Sequence, residues 1–264
     1  MLDQITPLIL TYNEAANIDR TLQHLTWAKR IVVIDSFSDD ETLDILSKYP
    51  QVQVFQRKFD SFADQCNFGL GKIVSEWVLS LDADYVVTDK LVQVIQMLVF
   101  KPDINAYKAR FKYCVFGKPL RGTLLPPRTV LYRQNKAIYH DDGHAHRVKI
   151  DGEIETMNGY IHHDDRKSLS RWLRSQDRYM QIESKKILFT PNRELGLGDR
   201  IRKAKYIAPF IILIYCLILK GGILDGWRGW YYAFQRMLAE MLLSIYLIEL
   251  DASKAKDQPS DRRI

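Results

Sequence analysis

The sequence predicts an α/β fold: a mainly parallel central sheet covered on both faces, followed by a C-terminal helical appendage that associates with a membrane. Three observations carry this expectation. Residues 5–100 alternate short apolar runs with segments of helical spacing. The runs are apolar throughout, as strands buried on both faces must be. Beyond residue 166 the strand signal stops and long helical stretches follow.

The elements follow in order. Ile5 to Leu10 is the first apolar run, and Ile31 to Ile34 the second, continuous and β-branched. Val52 to Phe55 is extended, and Trp77 to Leu81 reads as a buried strand. Ala15 to Trp27 has helical spacing, with Ile18, Leu22 and Leu25 on one side. Glu41 to Tyr49, Phe62 to Val74 and Leu91 to Phe100 are helical as well. Then Ala106 to Phe116, Thr129 to Arg133 and Ala145 to Ile150 read as strands, broken by Gly117-Lys118-Pro119, Pro126-Pro127 and Asp151-Gly152. Ser168 to Leu188 is helical and basic. Tyr206 to Leu219 runs fourteen residues without a charge, and Trp230 to Leu250 follows after Gly221-Gly222. We expect one domain over 1–165, an appendage over 166–250 and a polar, frayed tail over 251–264.

Composition narrows the class. With 264 residues, 47% hydrophobic and 11% aromatic, the chain is too apolar for disorder and long enough for one large core. Cys66, Cys114 and Cys216 are scattered and odd in number, which argues against a disulfide framework or a zinc ribbon. No signal-peptide pattern opens the sequence, so a cytoplasmic location is expected. The net charge of +6 is uneven: residues 166–205 hold 12 basic and 4 acidic residues, or +8, leaving −2 for the rest. An anionic membrane surface suits that segment. Nucleic acid is not expected as a partner, because no reading motif accompanies the charge.

In a parallel sheet, ligands sit beyond the carboxyl ends of the strands. Thr11-Tyr12-Asn13-Glu14 follows the first strand, and Asp35 to Thr42 the second. Gln65 and Asn67 lie in the helix after the third, and Asp82-Ala83-Asp84 follows the fourth. A carboxylate pair ending a buried strand is costly unless compensated, and a divalent cation such as Mg²⁺ or Mn²⁺ does so through hard oxygen ligands. Asn13 and Glu14 have an alternative reading as the start of the first helix, and Asp39 and Asp40 read as helix-starting residues.

Four pieces, in order and spacing, resemble the nucleotide-sugar half of a family 2 glycosyltransferase of GT-A fold: Leu-Ile-Leu-Thr-Tyr-Asn-Glu-Ala-Ala-Asn-Ile, Ile-Val-Val-Ile-Asp-Ser-Phe-Ser-Asp-Asp-Glu-Thr, Phe-Ala-Asp-Gln-Cys-Asn-Phe-Gly-Leu and Trp-Val-Leu-Ser-Leu-Asp-Ala-Asp. Lys-Ser-Leu-Ser-Arg-Trp-Leu-Arg-Ser-Gln-Asp-Arg-Tyr and Gly-Gly-Ile-Leu-Asp-Gly-Trp-Arg-Gly are similar to pieces of bacterial enzymes that add glucose to the lipopolysaccharide core. The resemblance implies a nucleotide-sugar half over 1–100 and an acceptor half over 101–165. It assigns Thr11 and Tyr12 to the base pocket and Asp35 to the nucleoside. Asn13, Glu14, Gln65 and Asn67 would line the nucleotide pocket. Asp82 would face the ribose and the metal, and Asp84 would bind the metal that bridges two phosphates.

The resemblance also implies a base, near the acceptor hydroxyl, in the stretch His140-Asp141-Asp142-Gly143-His144-Ala145-His146-Arg147. The related enzymes carry a His-Glu pair there, and this chain has His146-Arg147. Asp142 is the first candidate and Asp141 the second. Five of the six histidines fall between 140 and 163, and His163 or His162 is expected to complete the shell of the Asp84 metal rather than to form a zinc cluster. Arg121 and Arg128 flank a Pro-rich loop suited to gripping an acceptor or a phosphate.

At 1.5 Å per residue Tyr206 to Leu219 reaches about 21 Å, short of the roughly 30 Å bilayer core. Arg236, Glu240 and Ser244 put a polar stripe on the next helix, and Trp227, Trp230, Tyr231 and Tyr232 suit a headgroup-level anchor. A monotopic hairpin at the inner leaflet is preferred, a buried helical pair covering the sheet or forming a dimer is the alternative, and full spanning comes third. The expected function is inverting transfer of a hexose from a nucleotide diphosphate sugar, UDP-linked, to a membrane-associated glycan or lipid acceptor in lipopolysaccharide or surface polysaccharide synthesis. Transfer to polyprenyl phosphate is the nearest rival. A nucleotidyltransferase needs a Gly-rich loop that Leu8 to Asn17 lacks, and a non-catalytic membrane-binding module leaves the clustered carboxylates unexplained.

Overall fold

The computed structural model describes residues 2–142 and 145–257, without the side chains of 141, 142, 145, 146 and 254–257. The chain forms two compact units that divide between Lys167 and Ser168.

In the first unit, β1 (Ile5–Thr11), β2 (Ile31–Asp35), β3 (Val52–Gln56) and β4 (Trp77–Asp82) pair in parallel in the order β3-β2-β1-β4. The helices between them are α1 (Ile18–Gln23), α2 (Thr42–Leu46) and α3 (Phe62–Leu70). Strand side chains alternate between faces, and both faces of β1, β2 and β4 are covered, whereas the edge strand β3 is half exposed. Ile9, Ile31, Val33 and Leu79 enter one core cluster; Leu8, Val32, Ile34 and Val78 enter the other. This explains why β1, β2 and β4 read as mainly apolar runs.

Beyond β4 the sheet becomes mixed. β5 (Tyr85–Val87), α4 (Asp89–Met97), β6 (Ile104–Val115), the short β7 (Lys118–Pro119) and β8 (Arg128–Arg133) come next. β9 (Ala137–Asp142) and β10 (Ala145–Ile150) make a separate antiparallel hairpin, and β11 (Glu153–His163) returns to the main sheet. The order continues β4-β8-β6-β11-β5, with β8 antiparallel to both neighbours and β11 parallel to β6.

The sequence pattern did not reveal β5, β9 or β11. The register of β11 shifts between Thr156 and Tyr160, which breaks its alternation. There α4 comes so close that a Cβ on Gly159 would stand 2.8 Å from Leu91 Cδ1. β9 is held from below: Asn67 Nδ2 donates to Tyr139 O at 3.0 Å, and Asn67 Oδ1 accepts from Tyr139 N at 2.9 Å. The Tyr139 hydroxyl reaches Ser80 Oγ at 2.9 Å and the Tyr132 hydroxyl at 2.9 Å.

The second unit contains α5 (Leu169–Phe189), α6 (Leu197–Lys203), α7 (Ala208–Ile214) and α8 (Trp227–Asp257). Ser168 caps α5, its hydroxyl accepting from Arg171 N at 3.4 Å. Pro209 sits in the first turn of α7, where its missing N–H costs nothing. The expected helix over 206–219 is thus shorter, and a π-helical turn, Tyr215–Leu219, completes it. Ile187, Leu243 and Leu247 form a small core between α5 and α8. Arg202 ties α6 to α8 through Glu240 at 2.7 Å. Among the described residues, no helix is long and apolar enough to cross a membrane.

Candidate active site

The parallel strands end together, and their last residues share register: Thr11 opposite Asp35, and Asp35 opposite Gln56. Asp35 is fully buried and receives four hydrogen bonds. Its Oδ1 accepts from Thr11 Oγ1 at 3.0 Å and Ser38 Oγ at 2.5 Å, its Oδ2 from Ser38 N at 2.9 Å and Gln56 Nε2 at 3.3 Å. A carboxylate so surrounded is acceptor-saturated and stays in place. Above it, Tyr12 is 54% exposed and Phe37 55%, two rings left facing solvent at the ends of β1 and β2.

The loop after β1 does not start a helix at Asn13. Asn13 has φ +56°, and α1 begins only at Ile18. Asn13 instead locks the loops after β1 and β2 together: its Nδ2 donates to Asp39 Oδ1 at 2.6 Å, and its Oδ1 accepts from Asp39 N at 2.9 Å. Asp40 serves the start of α2, its Oδ1 accepting from Thr42 N at 3.0 Å. The Glu14 N–H donates to Thr42 Oγ1 at 2.7 Å.

The fourth strand ends in Asp82-Ala83-Asp84. Asp84 Oδ2 lies 3.0 Å from His163 Nε2, at the end of β11. Burial works against both charged forms. The facing charges outweigh it, holding the Asp84 carboxyl below its usual range and raising the His163 imidazole. The His163 ring is wedged edge-on between Tyr85 and Tyr113, at 5.3 and 5.2 Å between centroids. Tyr85 is pushed well up by burial and by the neighbouring Asp82 carboxylate, and its hydroxyl accepts from Arg128 at 2.8 Å.

The four residues after His163 fold back beside Asp84. The Asp164 N–H donates to Asp84 O at 3.0 Å. Arg20 binds both the Asp164 carboxylate, at 3.1 Å, and the Asp164 carbonyl. Asn17 donates to Asp165 at 3.2 Å and accepts from the Arg166 N–H at 3.0 Å. Lys167 Nζ lies 2.5 Å from Glu14 Oε1. Burial raises the Glu14 carboxyl; Lys167 opposes the shift and Asp84 adds to it.

The structure therefore brings Thr11, Asn13, Glu14, Asp35, Asp82, Asp84 and His163 to one edge of the sheet. Gln65 belongs to the same edge: its amide donates to Ser36 Oγ at 2.9 Å and accepts from Arg57 at 2.9 Å. Asn67 does not stand open to a ligand, since its amide is used on the backbone of β9. Arg128 is joined to Tyr85, and Arg121 is exposed in the loop after β7. The backbone of Asp141 and Asp142 closes β9; their side chains and that of His146, and the whole of His144, lie outside the described residues. Sequence reasoning missed Phe37, Arg20, Asn17, Lys167 and Tyr85. The first two residues of the basic segment, Arg166 and Lys167, pair with Asp164 and Glu14 in the first unit.

Asp84 Oδ1 is buried without a hydrogen-bond partner among the described residues, as is His163 Nδ1. Such an orphaned carboxylate oxygen fits a hard cation. No group of three His, Cys, Asp or Glu gathers for a metal among the described residues. The residues thus fit an ion that takes two protein ligands and fills its other positions from water and phosphate oxygens, as Mg²⁺ does.

Comparison with known proteins gives the family. The family model Glycosyl transferase family 2 matches residues 8–162. An uncharacterised glycosyltransferase of Rickettsia prowazekii, RP128, is 24% identical over 202 residues, 71% of this chain and 69% of that protein. The glycosyltransferase SunS of Bacillus subtilis is 24% identical over 224 residues, 76% of this chain and 51% of that one. Among solved structures, S. aureus TarS in complex with UDP is 16% identical, with TM-score 0.48 and coverage of 98% and 94%. The fold is GT-A-like, a mixed α/β sheet, and the chain belongs to glycosyltransferase family 2.

Proposed function

We propose that this glycosyltransferase moves a hexose, with inversion, from a UDP-linked donor to a membrane-associated glycan or lipid acceptor. In this reading residues 1–100 hold the donor and 101–165 the acceptor. The product serves lipopolysaccharide or surface polysaccharide synthesis at the inner face of the cell membrane. The carrying observation is the buried Asp84–His163 contact with its orphaned Asp84 oxygen, at the same sheet edge as the saturated Asp35.

In this reading the Tyr12 and Phe37 rings face the base, and Asp35 orients the Thr11 and Ser38 groups around the nucleoside. Asn13 and Glu14 shape the loop beneath, and Gln65 holds the Ser36 and Arg57 side of the pocket. Asp84 and His163 would hold Mg²⁺ or Mn²⁺, with Asp82 facing the ribose and the metal's shell; the ion when bound offsets charge on the departing diphosphate. Lys167 adds a fixed positive charge beside them. Arg121 and Arg128 are assigned to acceptor or phosphate binding. Asp142, with Asp141 second, is assigned to take the proton from the acceptor hydroxyl.

The test is release of UDP from UDP-sugars with Mn²⁺, using lipopolysaccharide-core and polyprenyl-phosphate acceptors in parallel. Transfer to the core acceptor, abolished by Asp84→Ala in a protein of native circular dichroism, is expected. Transfer retained in that variant contradicts the site, and transfer to polyprenyl phosphate alone contradicts the acceptor.

A further inference from the structure

The second unit carries an exposed surface that the transfer chemistry does not use. Between Trp230 and Ile248 every exposed residue is apolar, among them Phe234, Leu238 and Ile245. They recur every three or four residues and so form one stripe on α8, about 27 Å long. The same holds for residues 206–219, where every exposed side chain is an aliphatic or an aromatic, including Phe210, Ile214 and Ile218. α7 and its π-helical turn lie against α8, so both sets belong to one helical hairpin.

The polar residues of this hairpin turn the other way. Arg236 stands 5.9 Å from the Trp172 ring of α5 and 5.8 Å from the Tyr232 ring. Glu240 accepts from Arg202 of α6, and Ser244 donates to Glu240 O at 2.8 Å. The polar stripe on α8 is therefore the inner face of the unit.

We propose that this α7–α8 face enters one leaflet of a lipid bilayer without crossing it, by apolar insertion rather than by charge. A protein partner, including a second copy of this chain, would meet polar groups across an interface only about 57–65% apolar, with several hydrogen bonds. This face offers no charged or amide side chain over residues 230–248 or 206–219. Lipid tails need none. The cations stand at its edge: Lys220 Nζ lies 5.4 Å from the Tyr215 ring, and the Arg228 guanidinium 4.4 Å from the Trp227 ring. An aromatic and basic rim around an apolar face suits the headgroup level. α7 and its π-helical turn together reach only about 18 Å, against roughly 30 Å of hydrocarbon. The basic segment contributes less than its +8 suggests, since Arg166, Lys167, Arg202 and Lys205 are ion-paired to Asp164, Glu14, Glu240 and Asp251.

The test is co-sedimentation of the full chain with vesicles of phosphatidylcholine alone and of phosphatidylcholine with phosphatidylglycerol, at low and high salt. Binding to both vesicles, surviving high salt, is expected. Phe234→Asn with Ile245→Asn should weaken it roughly tenfold per residue while UDP binding is unchanged. Quenching of Trp227 and Trp230 fluorescence by brominated lipid, compared with a Trp227→Phe, Trp230→Phe variant, tests the same face if the polar variant misfolds. Binding only to anionic vesicles at low salt overturns apolar insertion. So does a chain that ignores both vesicles, or that forms a dimer dissolved by the same two substitutions.

Discussion

Glu14 and Lys167 form an ion pair of 2.5 Å across 153 residues of chain, with side chains only 12% and 18% exposed. The pair fastens the segment after β11 to the loop after β1, so that His163 is presented to Asp84. Lys167→Met leaves Glu14 buried without its cation, and unfolding in urea should show a loss of about 2 kcal/mol near neutral pH.

The pH dependence of that loss has a definite sign. Burial raises the Glu14 carboxyl above its ordinary 4.5. A raised carboxyl favours folding fully below its unfolded value, and that contribution is lost as pH rises through the folded value. Removing Lys167 takes away the main influence lowering Glu14. The deficit of Lys167→Met should therefore be larger at pH values well above 4.5 than near it, and an unchanged deficit across that range contradicts the pairing.

Asp35 tests the nucleoside side of the edge. Asp35→Asn keeps its size but turns an amide N–H₂ toward donors that need an acceptor. Stability should fall by about 2–3 kcal/mol, and UDP affinity by more than the folding loss explains. Calorimetry showing wild-type UDP affinity in this variant would remove Asp35 from the pocket.

Asn67 separates a structural role from a binding one. Its amide makes two hydrogen bonds to the Tyr139 backbone, at 3.0 and 2.9 Å. Asn67→Ala should cost about 1–3 kcal/mol and speed amide exchange in the β9–β10 hairpin. UDP affinity at a temperature where the protein stays folded should change little.

Gly229 tests the turn that opens α8. A Cβ there would stand 1.8 Å from the Gly222 carbonyl oxygen. Alanine is the better helix former by about 1 kcal/mol, yet Gly229→Ala should destabilise the second unit by about 2 kcal/mol or more. A thermal melt showing a gain would contradict the close approach.

What was legible in the sequence follows from range. The strands β1 to β4 sit in local apolar runs, and Thr11, Asp35, Asp82 and Asp84 stand at their ends, so strand counting found them. Lys167, Arg20 and Asn17 meet the site through contacts 144 to 153 residues apart, which no local pattern encodes. Arg166 and Lys167 looked like the start of a lipid-facing basic run because charge counting ignores ion pairing. β11 was missed because its register slips at Gly159. The alternative reading of Asn13 as a helix start stayed open because its left-handed backbone, which lets it clasp Asp39, has no local signature.

In the proposed site Asp84 and its neighbours hold a nucleoside diphosphate together with a divalent cation. Titration calorimetry of UDP into the wild type and Asp84→Asn, with and without Mn²⁺, tests it most directly. Mn²⁺ should tighten UDP binding to the wild type at least tenfold and leave binding to Asp84→Asn unaffected. Equal tightening in both proteins, or no UDP binding to the wild type under either condition, would contradict it.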